Sequence, residues 1–167
     1  MKAKASAISL DLEGISPEEK KKLKSKVLAY QKDPILFFKE ILGNSSHWKK
    51  QVEVALSVAR NKYTTVRSGH GIGKSYVCAD VALWFLFCFP ESIVITTAPT
   101  HRQVEKVLWG EIRQHYAKSK MPLGGQLLET EIKIGPKHYA TGFSSDAPDA
   151  FQGYHSDYVL VIKDEAS

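Results

Sequence analysis

The sequence predicts an α/β protein in which helices pack against a layered, mostly parallel sheet. β-Branched runs typical of buried strands occur at 63–67, 92–98 and 159–162. Segments with helical periodicity alternate with these runs, and a glycine-rich loop joins the first run to an apolar helix. With 167 residues, 43% of them hydrophobic, the chain is long enough for one domain with a substantial core.

The start of the chain predicts an arm followed by a helix. Residues 1–15 show no clear period, and we expect them to be flexible. Ser16 can cap a first helical turn and be capped in return by Glu19, while Pro17 suits the first helical position. The helix is predicted to end near Lys32.

Two further helices are predicted before the first strand. A short one covers 34–42, and a third follows Ser45 or Ser46. Trp48 has the spacing of a core residue in this third helix. Residues 16–62 therefore form a helical N-terminal segment ahead of the α/β core.

Residues 63–167 alternate between strands and helices. The helix after the glycine-rich loop is apolar nearly all round, which suits a helix buried against a sheet. Gly135 and Pro136 lie between two alternating segments and predict a hairpin. In chain order we predict a strand at 63–67, a helix at 74–89, a strand at 92–98, a helix at 101–119, a hairpin of 126–135 with 138–145, and a strand at 159–162.

The net charge of +5 is concentrated near the start of the chain. Residues 1–62 hold 13 Lys and Arg against 7 Asp and Glu, and the remaining residues are nearly balanced. Such a surplus is typical of a solvated helix face, and also of a surface that contacts nucleic acid phosphates. Charge alone does not decide between these two interpretations.

Composition argues against several classes of protein. No apolar run reaches 18 residues, and the N-terminus lacks the apolar segment of a secretory signal. Cys78 and Cys88 have no metal-ligand spacing and are predicted to be reduced core thiols of a cytosolic protein. His70 and His155 likewise lack the spacing of a zinc or iron site.

The segment SGHGIGKS has the composition of a phosphate-binding loop, although a serine replaces its usual first glycine. Glycines leave no Cβ between backbone and phosphate oxygen, so successive amide N–H groups can surround the anion. Lys74 would reach the β- and γ-phosphates, and the Ser75 hydroxyl would bind Mg²⁺. The alternative is a glycine-rich loop without a ligand. The predicted nucleotide-binding residues are Ser68, Gly69, His70, Gly71, Ile72, Gly73, Lys74 and Ser75.

An acidic motif follows the last predicted strand. Asp164 is placed to hold the same Mg²⁺, and Glu165 to orient the water that attacks the γ-phosphate. The second carboxylate favours a hydrolase over a kinase or a simple GTP switch. Lys163 either points to solvent or pairs with Asp164 and weakens the metal site.

These motifs, in this order, resemble the large terminase subunit of tailed bacteriophages. The resemblance covers about residues 33–167. It implies an ATP-driven motor that packages double-stranded DNA into a procapsid in the cytoplasm of the infected host. The portal protein, the small terminase subunit and other copies of the chain in a ring are the implied partners. The motifs that carry the resemblance are W--Q (Trp48 and Gln51), GHGIGKS, TTAPTHRQVEKVLW and FQGYHSDYVLVIKDEAS.

The resemblance also implies a RecA-like P-loop NTPase fold, a three-layer sandwich with a mostly parallel sheet. The helical segment and a β-hairpin insertion would be additions to it. The family's later strands and its RNase-H-like nuclease domain are expected to lie outside these residues, which makes the fold C-terminally incomplete. We therefore expect no DNA cleavage by this chain.

Several residues take candidate roles from the resemblance. Gln51 looks like the glutamine that recognises adenine, or else it is a polar residue on an exposed helix face. Trp48, three residues earlier, either packs on the base or fills the core. Arg67 either stabilises charge on the γ-phosphate or pairs with an acidic neighbour. Arg102 and Gln103, in the segment that resembles motif Ia, either contact DNA or a neighbouring subunit or simply follow Thr100 as a helix cap.

Two other functions fit the same motifs. A helicase of superfamily 1 or 2 shares the glutamine, the phosphate loop, motif Ia and the acidic motif. A fragment that binds nucleotide without turnover is the second alternative, because the sheet is expected to be incomplete and Lys163 lies beside the metal site.

Overall fold

A computed structural model of the chain describes residue 14 and residues 16–69, 71–144 and 153–164. Most of the predicted arm, His70 and Glu165 lie outside the described residues. The described part is a mixed α/β structure with a five-stranded sheet in the order β2-β3-β4-β1-β5. Its elements are α1 (Pro17–Lys32), α2 (Pro34–Phe37), a π-helical turn (Phe38–Leu42), α3 (Lys49–Arg60), α4 (Lys74–Cys88), β1 (Ile93–Ala98), a second π-helical turn (Gln103–Leu108), α5 (Trp109–Lys118), β2 (Gln126–Leu127), β3 (Glu131–Gly135), β4 (His138–Ser144) and β5 (Val159–Lys163).

The start of α1 confirms the predicted capping box. The Ser16 hydroxyl accepts a hydrogen bond from the Glu19 N–H at 3.2 Å, and the Glu19 carboxylate accepts one from the Ser16 N–H at 2.9 Å. The hydrogen bond from the Ser16 N–H, followed by the interaction with the Ser16 side chain, lowers the pKa of the Glu19 carboxyl. Local sequence is sufficient to define this helix.

The predicted short helix 34–42 is confirmed, but its second half is π-helical and ends at Gly43, whose φ of 81° is left-handed. The helix α3 begins at Lys49, later than predicted, because Trp48 is its N-cap residue. The prediction that Trp48 fills the core is wrong. Its side chain is 46% exposed, whereas the buried face of α3 carries Gln51 and Ala55.

The central element is α4, which packs against α1, α2, α3 and α5 and against β1, β4 and β5. Ten of its residues are buried, as expected for a helix that is apolar nearly all round. Cys88 is buried in this core and Cys78 is half-buried, and both are free thiols as predicted. Among the described residues, no helix is long and apolar enough to cross a membrane.

The strand β1 is buried on both faces and pairs in parallel with β4 and with β5. The predicted hairpin is confirmed as β3 and β4, which pair antiparallel, and β2 extends it. Because β4 also pairs with β1, the hairpin belongs to the main sheet rather than being a separate insertion. Two of the four pairings described are antiparallel, so the sheet is mixed rather than mostly parallel.

The core lies between one face of the sheet and the helices α4 and α5. Alternate strand residues point to one side of a sheet. The register places the strand residues of this core on the same side, because Val94 pairs with Ala140, which pairs with Ile132, and because Ile162 pairs with Thr96, two positions from both Val94 and Ala98. A second helical layer on the opposite face stays a prediction. The strand residues of the core are Val94 and Ala98 of β1, Ile132 of β3, Ala140 of β4 and Ile162 of β5.

Two strand predictions need correction. Residues 63–67 are not a strand, and Tyr63 and Val66 are 82% and 42% exposed. A β-branched run becomes a strand only when a neighbouring strand pairs with it, and no pairing with 63–67 occurs in the described residues. The strand β5 forms at the predicted place but is not buried on both faces, because it is an end strand of the sheet with Val159 and Val161 39% and 51% exposed.

Candidate functional site

The glycine-rich loop leads into the start of α4. Gly71 and Gly73 have left-handed φ angles of 75° and 77°, which glycine adopts at little cost. Gly73 is the N-cap of α4, and no side chain of the described residues caps this end. The first N–H groups of the helix and its positive dipole end therefore face the loop, which is the usual arrangement of an anion site.

Position 73 also requires glycine because Gln51 lies close to it. The Gln51 amide donates a hydrogen bond to the Gly73 carbonyl at 3.1 Å and accepts one from the Trp48 N–H at 3.2 Å. A Cβ on Gly73 would lie 2.6 Å from the Gln51 Nε2 atom. The structure thus brings Gln51 to the loop through the peptide backbone, and its role toward adenine stays a prediction.

The Lys74 side chain crosses the loop. Its ammonium donates a hydrogen bond to the Gly69 carbonyl at 2.8 Å, five positions earlier in the sequence. The positive charge therefore lies next to the backbone of Gly69, in the loop that the sequence predicts to surround phosphate. The carbonyl of Gly69 is a weak competitor for this charge compared with a phosphate oxygen, because a bond between two ions is stronger than one to a neutral acceptor.

The most informative contact joins the loop to β5. The Ser75 hydroxyl donates a hydrogen bond to the Asp164 carboxylate at 3.2 Å across 89 positions of sequence. The Asp164 N–H is bound to the Thr97 carbonyl at 2.8 Å, which fixes the end of β5 against the end of β1. A hydroxyl and a carboxylate are hard oxygen ligands of the kind that Mg²⁺ takes, so the pair fits the predicted metal.

The nearby thiol is not a nucleophile. Burial, together with a smaller effect of the Asp164 carboxylate, raises the pKa of Cys78 to about 12, and Lys74 opposes the shift only in part. Cys78 is therefore protonated at neutral pH and packs as a small apolar group beside the site.

The predicted site residues fall into three groups. Of the first group, Arg67, Ser68 and Gly71 are exposed and Ile72 is half-buried. His70 and Glu165 lie outside the described residues, so their predicted roles stay predictions. The residues that the structure brings together are Gln51, Gly69, Gly73, Lys74, Ser75 and Asp164.

The segment after β1 confirms Thr100 as a helix cap. The Gln103 N–H donates to the Thr100 hydroxyl at 3.3 Å, and the Gln103 amide oxygen accepts from the Thr100 N–H at 3.0 Å. Gln103 is thereby engaged in a capping box, whereas Arg102 is exposed. The contact of Arg102 with DNA or with a neighbouring subunit stays a prediction.

One polar cluster was not predicted. Asp80 is the single acidic residue of α4, is fully buried, and accepts hydrogen bonds from His47 and His115 at 2.7 Å and from Asn44 at 2.8 Å. Burial opposes its ionisation, but the bonds from His115 and His47 outweigh burial and lower the pKa of Asp80. A lone carboxylate in an apolar helix is the signal that could have indicated such a cluster.

Comparison with known proteins gives one informative relative. No family model matches the chain. In an alignment of 151 residues that covers 84% of the chain, it is 29% identical to a protein named "Probable terminase, large subunit" from Enterobacteria phage P7. The chain is related to a phage large terminase subunit. The terminase resemblance of the sequence motifs is thus confirmed, and the matched region spans 31% of the terminase relative's length.

Proposed function

We propose that this chain is the ATPase part of a viral DNA-packaging motor, which couples hydrolysis of Mg-bound ATP to movement of double-stranded DNA into a procapsid. The observation that carries the proposal is the Ser75–Asp164 contact, which joins the glycine-rich loop to the acidic strand end. The terminase relationship favours packaging over the helicase alternative, because the relative's name is that of a packaging subunit.

The loop and the start of α4 supply the proposed phosphate site. The left-handed glycines Gly71 and Gly73 hold the backbone open, and the uncapped N–H groups of the helix favour a negatively charged ligand. Lys74, now bonded to Gly69, would exchange this carbonyl for phosphate oxygens. Nucleotide binding is therefore expected to break the hydrogen bond from Lys74 to the neutral Gly69 carbonyl. Hydrogen bonds from Lys74 to charged phosphate oxygens would replace it.

Ser75 and Asp164 supply the proposed metal site. Mg²⁺, when bound, would neutralise charge on the phosphate oxygens of the nucleotide. Asp164 is held in place by the backbone bond to Thr97, and Ser75 by its position in the first turn of α4. The two oxygen ligands therefore come from two different elements, so both must be folded together for the metal to bind.

Glu165 and Arg67 are proposed to serve the reaction. Glu165 follows Asp164 directly and would orient the attacking water, while Arg67 would stabilise charge on the γ-phosphate. Gln51 is proposed to recognise adenine next to the loop that it contacts. The proposed partners are double-stranded DNA, the portal protein, the small terminase subunit and further copies of the chain in a ring, in the host cytoplasm.

The experiment is a titration with Mg·ATP together with a phosphate-release assay. We expect the unaltered chain to bind Mg·ATP and hydrolyse it slowly, and Lys74→Ala to weaken binding by at least about tenfold, the loss of roughly one charged hydrogen bond. The matched control is Lys133→Ala, which removes an exposed lysine paired with Glu131 on β3. Absence of binding to the unaltered chain, or equal affinities of the Lys74 and Lys133 variants, would overturn the proposal.

A further inference from the structure

The polar cluster in α4 connects three separate parts of the chain at one carboxylate. We define the aspartate cluster as Asn44, His47, Asp80 and His115. Asn44 and His47 belong to the connection between the π-helical turn and α3, and His115 belongs to α5. Both oxygens of Asp80 are used, since His47 donates to Oδ2 while His115 and Asn44 donate to Oδ1.

A hydrogen-bonded path runs from this cluster to the phosphate loop. His47 is followed by Trp48, whose N–H is bound to the Gln51 amide oxygen at 3.2 Å. The same amide donates to the Gly73 carbonyl at 3.1 Å. The hydrogen bond between His47 and Asp80 therefore also restrains the adjacent backbone, which orients Gln51. Gln51 in turn holds the carbonyl of Gly73, the last glycine before Lys74.

A second path runs through Tyr76, next in sequence to Ser75. The Tyr76 ring lies between the two histidines of the cluster, 5.6 Å from the His47 ring and 4.4 Å from the His115 ring between centroids. The contact with His115 is edge-to-face, a favourable geometry for aromatic rings. The first turn of α4, which carries Lys74 and Ser75, is thus held from the side by residues that Asp80 orients.

We propose that Asp80 is a positioning residue for the nucleotide, which sets the Gly73 carbonyl and the first turn of α4 through His47 and Tyr76 without touching the nucleotide itself. The inference rests on the proposed function. If Asp80 had only a structural role, its removal would affect folding and not nucleotide affinity. The two paths, however, end at the Gly73 carbonyl and at the first turn of α4, where the nucleotide is proposed to bind. Removing the carboxylate should therefore lower nucleotide affinity in molecules that are still folded.

The test is calorimetric titration of the full chain with Mg·ADP, which gives the dissociation constant and the number of sites separately. For Asp80→Asn we expect a dissociation constant raised about tenfold with an unchanged number of sites per chain. Loss of folded protein would instead reduce the number of sites and leave the dissociation constant of the remaining sites alone. That second result would overturn the proposal.

The path through Gln51 makes a double-mutant prediction. Gln51→Ala should also weaken Mg·ADP binding, and the double variant with Asp80→Asn should be weakened less than the product of the two single effects. Independent effects, which multiply fully, would contradict the proposed path. His47→Gln serves as a second single variant in case Asp80→Asn does not fold, with the same expected rise in the dissociation constant.

The matched control is Ser92→Ala. Ser92 is fully buried, and its hydroxyl donates to the Phe85 and Leu86 carbonyls at the opposite end of α4. This variant should lower stability while leaving the Mg·ADP dissociation constant within about twofold. An unaltered chain that fails to bind Mg·ADP refutes the proposed function itself, whereas normal binding by Asp80→Asn refutes only the positioning role.

Discussion

The hydroxyl of Ser75 and the carboxylate of Asp164 meet at 3.2 Å, although 89 positions of sequence separate them. Ser75 lies in the first turn of the central helix α4, and Asp164 directly follows the end strand β5. The bond from the Asp164 N–H to the Thr97 carbonyl holds this position beside the carboxyl end of the parallel strand β1, the edge of a sheet where ligands of α/β proteins bind. Because both oxygens are ligands that Mg²⁺ takes, the contact predicts that nucleotide binding depends on the metal.

Asp164→Asn should remove most of the Mg²⁺ dependence of nucleotide binding. An amide is a weaker ligand for a hard cation than a carboxylate, whereas the loop that we propose to bind phosphate is left in place. For the unaltered chain, the dissociation constant of ADP should be lower with Mg²⁺ than with a chelator. For the variant, the two dissociation constants should be similar. Asp157→Asn, at the exposed opposite end of β5, is the control and should behave like the unaltered chain.

Gly73→Ala should lower the free energy of unfolding by about 1 to 3 kcal/mol. An alanine at φ 77° is strained, and its Cβ would lie 2.6 Å from the Gln51 Nε2 atom. Gly110→Ala is the control, because Gly110 lies in α5 with no atom within 4 Å of an added Cβ, and it should stabilise the protein by about 0.5 to 1 kcal/mol. Denaturant unfolding of both variants measures the difference, and equal effects would contradict the tight packing at Gly73.

Asp80 should contribute a pH-dependent part of the stability. Burial raises its pKa, but the hydrogen bonds from His115 and His47 prevail, so the folded pKa lies below the ordinary value. A depressed folded pKa means that the stabilisation is present above about pH 4 and is lost as the pH falls through the folded pKa. The stability of the unaltered chain should therefore fall more steeply than that of Asp80→Asn as the pH is lowered from about 4 through the folded pKa of Asp80. Parallel curves would show that the carboxylate titrates alike in both states.

Lys163→Val should leave Mg-nucleotide affinity within about twofold. Lys163 is exposed at the end of β5, and its neighbour Ile162 points to the opposite, buried face. An exposed ammonium interacts weakly with a nearby carboxylate because water screens it. Tighter Mg·ADP binding by the variant would mean instead that Lys163 competes with the metal for Asp164.

Features fixed by neighbouring residues could be predicted from the sequence. The cap of α1 depends on Ser16 and Glu19 alone, and Gly43 ends the short helix because it adopts a left-handed φ. The glycine-rich loop and the acidic strand end were each recognisable by composition. Their meeting was expected because a strand predicted before the loop and a strand predicted before Asp164 would place both at one sheet edge, although the first of these strands does not form.

Features that depend on distant parts of the chain could not be predicted. The run 63–67 has the composition of a strand, but pairing requires a neighbour that local sequence does not reveal. Trp48 has helical spacing, yet it lies at the N-cap and is half exposed. The aspartate cluster joins three segments, so only the isolated charge of Asp80 in an apolar helix indicated it.

The central claim is that the loop ending at Ser75 and the carboxylate of Asp164 form one site for a Mg-bound nucleotide. A crystal structure of the chain with Mg·ADP tests this most directly. We expect the phosphates against the backbone of residues 69–75, with Mg²⁺ bound by the Ser75 hydroxyl and held directly or through water by Asp164. Nucleotide bound elsewhere, or a loop that keeps Lys74 on the Gly69 carbonyl at saturating Mg·ADP, would contradict the account.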